Sequence, residues 1–423
     1  MTYVLLIFGL VCLLLTANAH SARRRHVSVL VPSFFAGWLT IEMAPHLLVA
    51  EVAGLALLSV YGGLDGPAGW IGLAAGFLGA AGTVVTIVAA RRTIVTLRDS
   101  GVPLDLDPED APRYPFSHIV LPGLAFLPRR GVKVERNIVF HEQGRLRLKL
   151  DVYRPAAEGE VHGRRLRPGL MQIHGGAWVI GDKREQGLPL LKHMALQGWA
   201  GFNVNYRLSP RATWPEHLID LKHFIAWYRE NAESYGADPD FLCVTGGSAG
   251  GHLTAMVALS ANVPEFQPGF EDVDTSVRGA VPFYGVYDFV EAGPWPVPMG
   301  ATPLVERMVV KRSFKEEPEA FASASPVTYL RPDAPPFFVI HGSHDSLIPV
   351  AEARRFVDKL RDISTSPVIY AEMKGGQHAF DVFPSYRTAR VVEGVERYLT
   401  GLHREYAAGR EPRTAEDITN SLG

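Results

Sequence analysis

Cysteine is nearly missing from this chain of 423 residues: there are two, Cys12 inside an apolar run and Cys243 inside a run that reads as a core strand. Two cysteines so placed exclude a disulfide framework and a thiolate metal centre. An excess of either charge is missing too, with 42 Lys and Arg against 44 Asp and Glu. A chain of pI about 6.7 carries no basic footprint, so nucleic acid is not an expected partner. Although 47% of the residues are hydrophobic, long apolar runs are almost all missing after residue 91. The chain therefore divides into an apolar head and a longer part of mixed composition.

In the head, Met1 to His20 has no charged side chain and is followed by Arg23, Arg24 and Arg25. A secretory leader carries its positive charge ahead of the apolar core, so this order favours a retained span, even though Ala17-Asn18-Ala19 has the small residues of a cleavage site. Trp70 to Ala90 runs without a charge up to Arg91 and Arg92 and is long enough to cross a bilayer. Within it Gly72, Gly76, Gly79 and Gly82 form a small-residue face that permits close helix packing. Val27 to Tyr61 is apolar but interrupted by Pro32, Glu42, Pro45, His46 and Glu51. The expectation there is a short helical hairpin with Glu42 near its turn, since carboxylates at mid-bilayer must face other helices or lie near an interface. Three crossings place both arginine clusters and everything after Arg91 in the cytoplasm; four place the rest of the chain outside. Either count implies a multi-pass membrane protein, in contact with membrane lipid.

Composition sets the domains: a transmembrane helical region over 1–97, a Pro-rich linker over 98–130, a globular domain over 131–408 and a polar tail over 409–423. The linker holds the acidic patch Asp105, Asp107, Glu109 and Asp110, and prolines that argue against regular structure. Its apolar stretch Phe116 to Leu127 either lies on the membrane surface or packs on the globular domain. The tail is expected to be disordered.

After Gly131 short apolar runs alternate with helical patterns. Arg136 to Phe140 and Arg147 to Tyr153 read as a strand pair. Buried-type strands follow at Leu170 to His174, Ala200 to Asn205, Phe241 to Thr245, Ala280 to Tyr284, Phe337 to Ile340 and Val368 to Met373. Helical patterns cover His217 to Tyr235, His252 to Ser260, Val350 to Asp362 and Arg390 to Tyr406. Such alternation predicts an α/β fold: a doubly wound, mostly parallel eight-stranded sheet, preceded by an all-α transmembrane region. Ligands in these sheets bind beyond the carboxyl ends of the strands.

Four polar features fall at those ends. Gly246-Gly247-Ser248-Ala249-Gly250-Gly251 places a serine between glycines at i−2 and i+2, as a tight strand-to-helix turn requires. In this reading residue 247 between them is free to vary. His174-Gly175-Gly176-Ala177-Trp178 follows a strand, and its glycine amides make Gly175 and Gly176, with Ala249 after the serine, candidate donors of an oxyanion hole. His174 and Trp178 are expected to position that loop. Asp345 follows the seventh strand and His378, flanked by Gly375 and Gly376, follows the eighth. The order Ser, acid, His on successive strand ends assigns Ser248 as nucleophile, His378 as general base and Asp345 as the carboxylate that fixes its tautomer. Asp288 is a rival acid, and His341 and His344 are rival histidines.

These residues resemble the α/β-hydrolase fold and, more narrowly, the hormone-sensitive-lipase-like carboxylesterases, with their HGGG, GDSAGG and late Asp and His motifs. The resemblance covers roughly Gly131 to Tyr406 and includes Tyr206-Arg207-Leu208-Ser209-Pro210. Ala177 replaces the third glycine and Gly247 the usual aspartate. The HGGAW form is similar to the prenylcysteine-methylesterase-like branch, which also has a membrane-embedded N-terminal part, and to the kynurenine-formamidase-like branch. The resemblance implies hydrolysis of carboxylic esters through an acyl-enzyme, without metal or organic cofactor, and the membrane segments suggest a small lipophilic ester as substrate. Val290 to Ser325, with Trp295 among Pro294, Pro296 and Pro298, is expected to form a cap over the acyl pocket. A membrane-bound serine peptidase or amidase could use the same triad, and a non-catalytic ligand sensor could use the same scaffold.

Overall fold

The structure, a computed structural model, describes residues 1–21, 27–102, 113–157, 159, 166–290 and 304–409. Outside the described residues lie the arginine cluster Arg23 to Arg25, the acidic patch of the linker, the tryptophan and prolines of the expected cap, and all of the tail after residue 409.

Four helices make up the head: α1 (Thr2–His20), α2 (Val27–Glu42), α3 (Ala44–Leu58) and α4 (Pro67–Arg91). Among the described residues, three stretches are long and apolar enough to cross a membrane: Thr2–His20, Ala44–Gly63 and Pro67–Asp99, with mean hydropathies of 2.1, 1.6 and 2.0. α1 and α4 run side by side in the same direction. Thr16 Oγ1 donates to Gly79 O at 3.1 Å, and His20 Nε2 reaches Gly82 O at 3.1 Å one turn further on. α3 runs the other way, with Leu55 on Gly76. The glycine face of α4 is consumed by these contacts: a Cβ on Gly72 would lie 2.5 Å from Leu5 O, and one on Gly79 2.8 Å from the Cys12 carbonyl carbon. Glu51 is 1% exposed and points into this bundle.

The expected hairpin over Val27 to Tyr61 does not form. The helix does break after Glu42, at Met43, but only α3 enters the bundle. α2 lies across the end of α1, where Asn18 and Ser33 exchange hydrogen bonds, and against the globular domain. Its 16 residues span about 24 Å, short of the roughly 30 Å hydrocarbon core. Glu42 ends against Arg387, and this buried pair, 3.2 Å apart, keeps the helix on the domain.

In its described parts, residues 98–102 and 113–130, the linker is more regular than its prolines suggest. α5 (Thr93–Asp99) buries Leu97 against Gly394, and Phe116 to Leu127 forms α6 (Phe116–Val120) and a 3-10 turn over Pro122–Phe126. Lys192 holds this segment through the carbonyls of Ala125 and Leu127, at 2.6 and 2.8 Å, while Phe116, Leu121 and Leu127 face outward.

The domain is an eight-stranded sheet: β1 (Val132–Gln143), β2 (Leu146–Pro155), β3 (Arg167–Ile173), β4 (Ala200–Val204), β5 (Ala237–Gly247), β6 (Gly279–Phe283), β7 (Phe337–Gly342) and β8 (Val368–Met373). Its order is β1-β2-β4-β3-β5-β6-β7-β8. The β1–β2 and β2–β4 pairs are antiparallel and the rest parallel. The remaining helices are α7 (Leu188–Leu196), α8 (Glu216–Asn231), α9 (Ala249–Leu259), α10 (Pro318–Ser323), α11 (Ala351–Ile363) and α12 (Tyr386–Ala408). Two cores result, one on each face. Phe224, Leu253 and Phe356 of α8, α9 and α11 fill the first; Leu191 and Val395 of α7 and α12, with Leu97, fill the second. The connections from β3 leave first for β4 on one side and then for β5 on the other, so the sheet has its switch point between β3 and β5. Ile173 and Gly246 pair in register there, which brings the His174 loop beside Ser248.

Candidate active site

Ser248 sits where β5 turns into α9, with φ 59° and ψ −121°. A side chain held there costs on the order of 1–3 kcal/mol, and the neighbours leave no alternative. A Cβ on Gly246 would lie 2.5 Å from Ile173 O, and one on Gly250 2.2 Å from the same oxygen. The Ser248 amide is fixed by donation to Phe283 O at 3.0 Å, while its side chain remains half-buried at the strand ends. Gly247 is not free to vary, contrary to the sequence reading. A Cβ on it would lie 2.6 Å from Tyr284 Oη, because Tyr284 fills the space under the turn and is pinned there by its bond to Asp381.

His378 and Asp345 come together from the ends of β8 and β7. His378 Nδ1 lies 2.7 Å from Asp345 Oδ2, and both are buried. With the carboxylate ionised, Nδ1 carries the proton and Nε2 is left as the basic nitrogen, the tautomer a general base needs. Burial alone would push the Asp345 carboxyl up, yet the facing His378 and His341 imidazoles and their hydrogen bonds hold it well below the usual carboxylate range. Its other oxygen accepts from the amides of Leu347 and Ile348 at 2.8 and 2.7 Å. Gln377 Oε1 accepts from Ser346 N and His378 N at 2.7 and 2.9 Å and so ties the two loops to each other. The Tyr284 ring lies 4.6 Å from that of His378, so one residue touches both the serine turn and the histidine loop.

The rival residues take other places: His341 sits behind Asp345, and His344 and Asp288 are engaged elsewhere. His341 is fully buried, its Nε2 2.9 Å from Ile348 O and 3.2 Å from Asp345 Oδ2. His344 faces His20 at the end of α1, with ring centroids 6.4 Å apart. Asp288 pairs with Lys359 at 3.6 Å and accepts from Val290 N.

The glycine loop after β3 is braced from behind. The Tyr206 ring stacks on His174 at 4.4 Å and its hydroxyl donates to His174 O at 3.0 Å. Trp178 is buried and donates to His252 Nδ1 at 3.2 Å, so His174 and Trp178 serve the loop's shape as expected. Gly175 departs from the sequence reading. Its amide donates to Gln186 Oε1 at 2.7 Å, and an amide so occupied is not open to a substrate oxygen. Gly176, with φ 116°, is the next amide along, followed by Ala177, and Ala249 N–H is among the unbonded first amides of α9. Gln186, Gln377 and Tyr284 escaped the sequence reading; only Gln377, inside the glycine-flanked motif of His378, carried a signal. Among the described residues, no three His, Cys, Asp or Glu side chains converge as a metal site requires.

Comparison with known proteins matches residues 150–360 to the BD-FAE family. Over 251 residues the chain is 52% identical to LipM of Mycobacterium tuberculosis, named a probable carboxylic ester hydrolase, covering 59% of this chain and 58% of that protein. It is 43% identical over 279 residues to the esterase LipQ of the same organism, covering 66% and 65%. The isoprenylcysteine alpha-carbonyl methylesterase of Arabidopsis thaliana is 26% identical over 262 residues, covering 59% and 58%. The chain thus spans roughly three fifths of the length of the curated relatives it matches. Among solved structures, propionate-bound esterase 2 of Thermogutta terrifontis superposes with a TM-score of 0.51 at 22% identity, over 67% of this chain and 97% of that one, which places the fold.

Proposed function

We propose that this chain is a membrane-anchored serine esterase of the α/β-hydrolase type, acting on lipophilic carboxylic esters, as its likeness to the BD-FAE family and to carboxylic ester hydrolases supports. The observation that carries this reading is the buried His378–Asp345 pair, 2.7 Å apart, at the same sheet edge as the strained turn of Ser248. In this reading His378 Nε2 takes the Ser248 proton as Oγ attacks the ester carbonyl carbon. The oxyanion that forms is met by the amides of Gly176, Ala177 and Ala249, with Gly175 shaping the loop and donating to Gln186 instead. His378 then returns the proton to the leaving alcohol, and water enters by the same base to release the acid. Oriented amides in such a site are each worth about 3–4 kcal/mol of barrier lowering. Asp345 stays ionised and stabilises the imidazolium without taking its proton.

The bundle supports the lipophilic class of substrate. The carboxyl-terminal ends of α1 and α4 and the amino-terminal end of α3 all lie at the globular domain, so three crossings leave the site at one membrane face. Arg91, Arg92 and Arg98 belong to that face, whereas the far loop Ser59 to Gly66 has no Lys or Arg, which supports a cytoplasmic domain by the positive-inside rule.

Ser248→Ala is expected to abolish hydrolysis of p-nitrophenyl esters and labelling by a fluorophosphonate probe while the melting temperature is retained. Undiminished turnover in that variant would sink the assignment. Cleavage of peptide anilides at a rate comparable to the esters would move the chain to the peptidases or amidases.

A further inference from the structure

One stripe of α2, formed by Phe34, Gly37, Trp38 and Glu42, meets the loop that carries His378. Residues spaced by three and four share one face of a helix, and here each makes a different contact. The Phe34 ring stands edge-on to the His378 imidazole at 6.2 Å. At Gly37 the helix comes so close that a Cβ would lie 3.4 Å from Nε2 of Gln377, the side chain that ties His378 to Ser346. Trp38 Nε1 donates to Ala379 O at 2.9 Å, and its ring stacks on Phe383 at 4.6 Å. Ala379 follows the histidine directly and has φ 58°, a conformation that needs holding. Glu42 accepts from Ser385 Oγ at 2.6 Å and from Arg387 Nε at 3.2 Å, and Arg387 Nη1 reaches back to Lys374 O at 2.8 Å. The loop from Lys374 to Arg387 is thus gripped at its start, beside its histidine and at its end.

We propose that α2 is a positioning element of the active site: through Trp38 and Glu42 it holds the His378 loop in reacting geometry, so the apolar head completes the site as well as anchoring it. The inference rests on His378 being the general base. The cost of the contacts argues against simple attachment. A fully buried ion pair contributes little net stability, because desolvation offsets its attraction, whereas it fixes one arrangement strongly. Attachment to an apolar phase is already available along the exposed side of the helix, where Val31, Phe35 and Leu39 are 47%, 50% and 47% exposed. The inward face is therefore free to hold the loop.

The test uses the full-length protein in detergent micelles with p-nitrophenyl butyrate. Trp38→Phe keeps an aromatic ring beside Phe383 and removes the N–H donor to Ala379 together with part of the indole's volume. A displacement near 1 Å at a reacting group costs up to about a hundredfold, so kcat is expected to fall about tenfold or more with KM unchanged. Phosphonylation of Ser248 by a fluorophosphonate, which also needs the base, is expected to slow by the same factor. Glu42→Gln is expected to do likewise, while Leu39→Ala, at an exposed position of the same helix, leaves both rates at the wild-type value. Trp38→Phe is mild enough to decide the matter if Glu42→Gln does not fold. Wild-type kcat and labelling in Trp38→Phe, or a change confined to KM, would overturn the inference. Ser248→Ala separates it from the reading beneath: turnover in that variant refutes the triad itself, whereas an inactive Ser248→Ala beside fully active α2 variants refutes only the role of α2.

Discussion

Around Ser248, single atoms decide what the turn tolerates. Gly247→Ala would bring a Cβ to 2.6 Å from Tyr284 Oη and 2.9 Å from two of its ring carbons, and that ring is itself packed on His378. Overpacking of this kind costs about 1–3 kcal/mol, so we expect a lowered melting temperature and a fall in kcat larger than any change in KM. The glycines at 246 and 250 were legible in the sequence because a short list of turns demands them. The constraint at 247 was not, since it comes from a tyrosine one strand away. A second residue-scale outcome concerns His252, whose Nδ1 accepts from Trp178 and whose Nε2–H donates to Ala324 O at 2.7 Å. Burial pushes its pKa down to about 4, against the opposing pull of that carbonyl. The folded state then binds fewer protons than the unfolded one between pH 4 and about 6.5, so the stability this residue contributes is present at neutral pH and lost as pH falls through that window. Melting temperatures of wild type and His252→Gln should converge on acidification; a difference that stays constant would mean the ring is not held neutral.

Helices and strands differ in how much of their placement the sequence disclosed. The parallel strands were readable because strands covered on both faces become short apolar runs, and β3, β5, β6, β7 and β8 fall where those runs are. The long apolar helices α1 and α4 were readable from length and lack of charge. The glycine face of α4 was readable as a packing surface but not for its partners, which are α1 and α3 of the same chain. Gly79→Leu is expected to push α1 off α4, because the added Cβ alone would lie 2.8 Å from the Cys12 carbonyl carbon. In detergent this should lower the melting temperature by several degrees with little change in ester hydrolysis by the protein that remains folded. The docking of α2 was illegible for a physical reason: its pattern is apolar on both faces, and only the distant Arg387 and the Ala379 carbonyl distinguish the inward one.

At the scale of the whole molecule, the proposed reading puts the chemistry at the cytoplasmic face of a bilayer. A membrane-impermeant fluorophosphonate is expected to label Ser248 in permeabilised cells and not in intact ones; equal labelling in both would place the domain outside and require a different course for the head. The boundary drawn from composition, near residue 98, leaves α2 on one side and the histidine loop, on which it packs, on the other. α2 shares its buried surface with the histidine loop, while α3 and α4 leave the domain after Glu42 and return to it at Arg92. Seen from the sheet, those two helices are an excursion within a catalytic unit whose pieces lie on either side of them in the chain. A soluble form obtained by cutting at the linker would keep Arg387 and lose its anion. Splicing residue 42 to residue 93 through a short polar bridge, in place of the excursion, would keep both halves of the unit in one polypeptide.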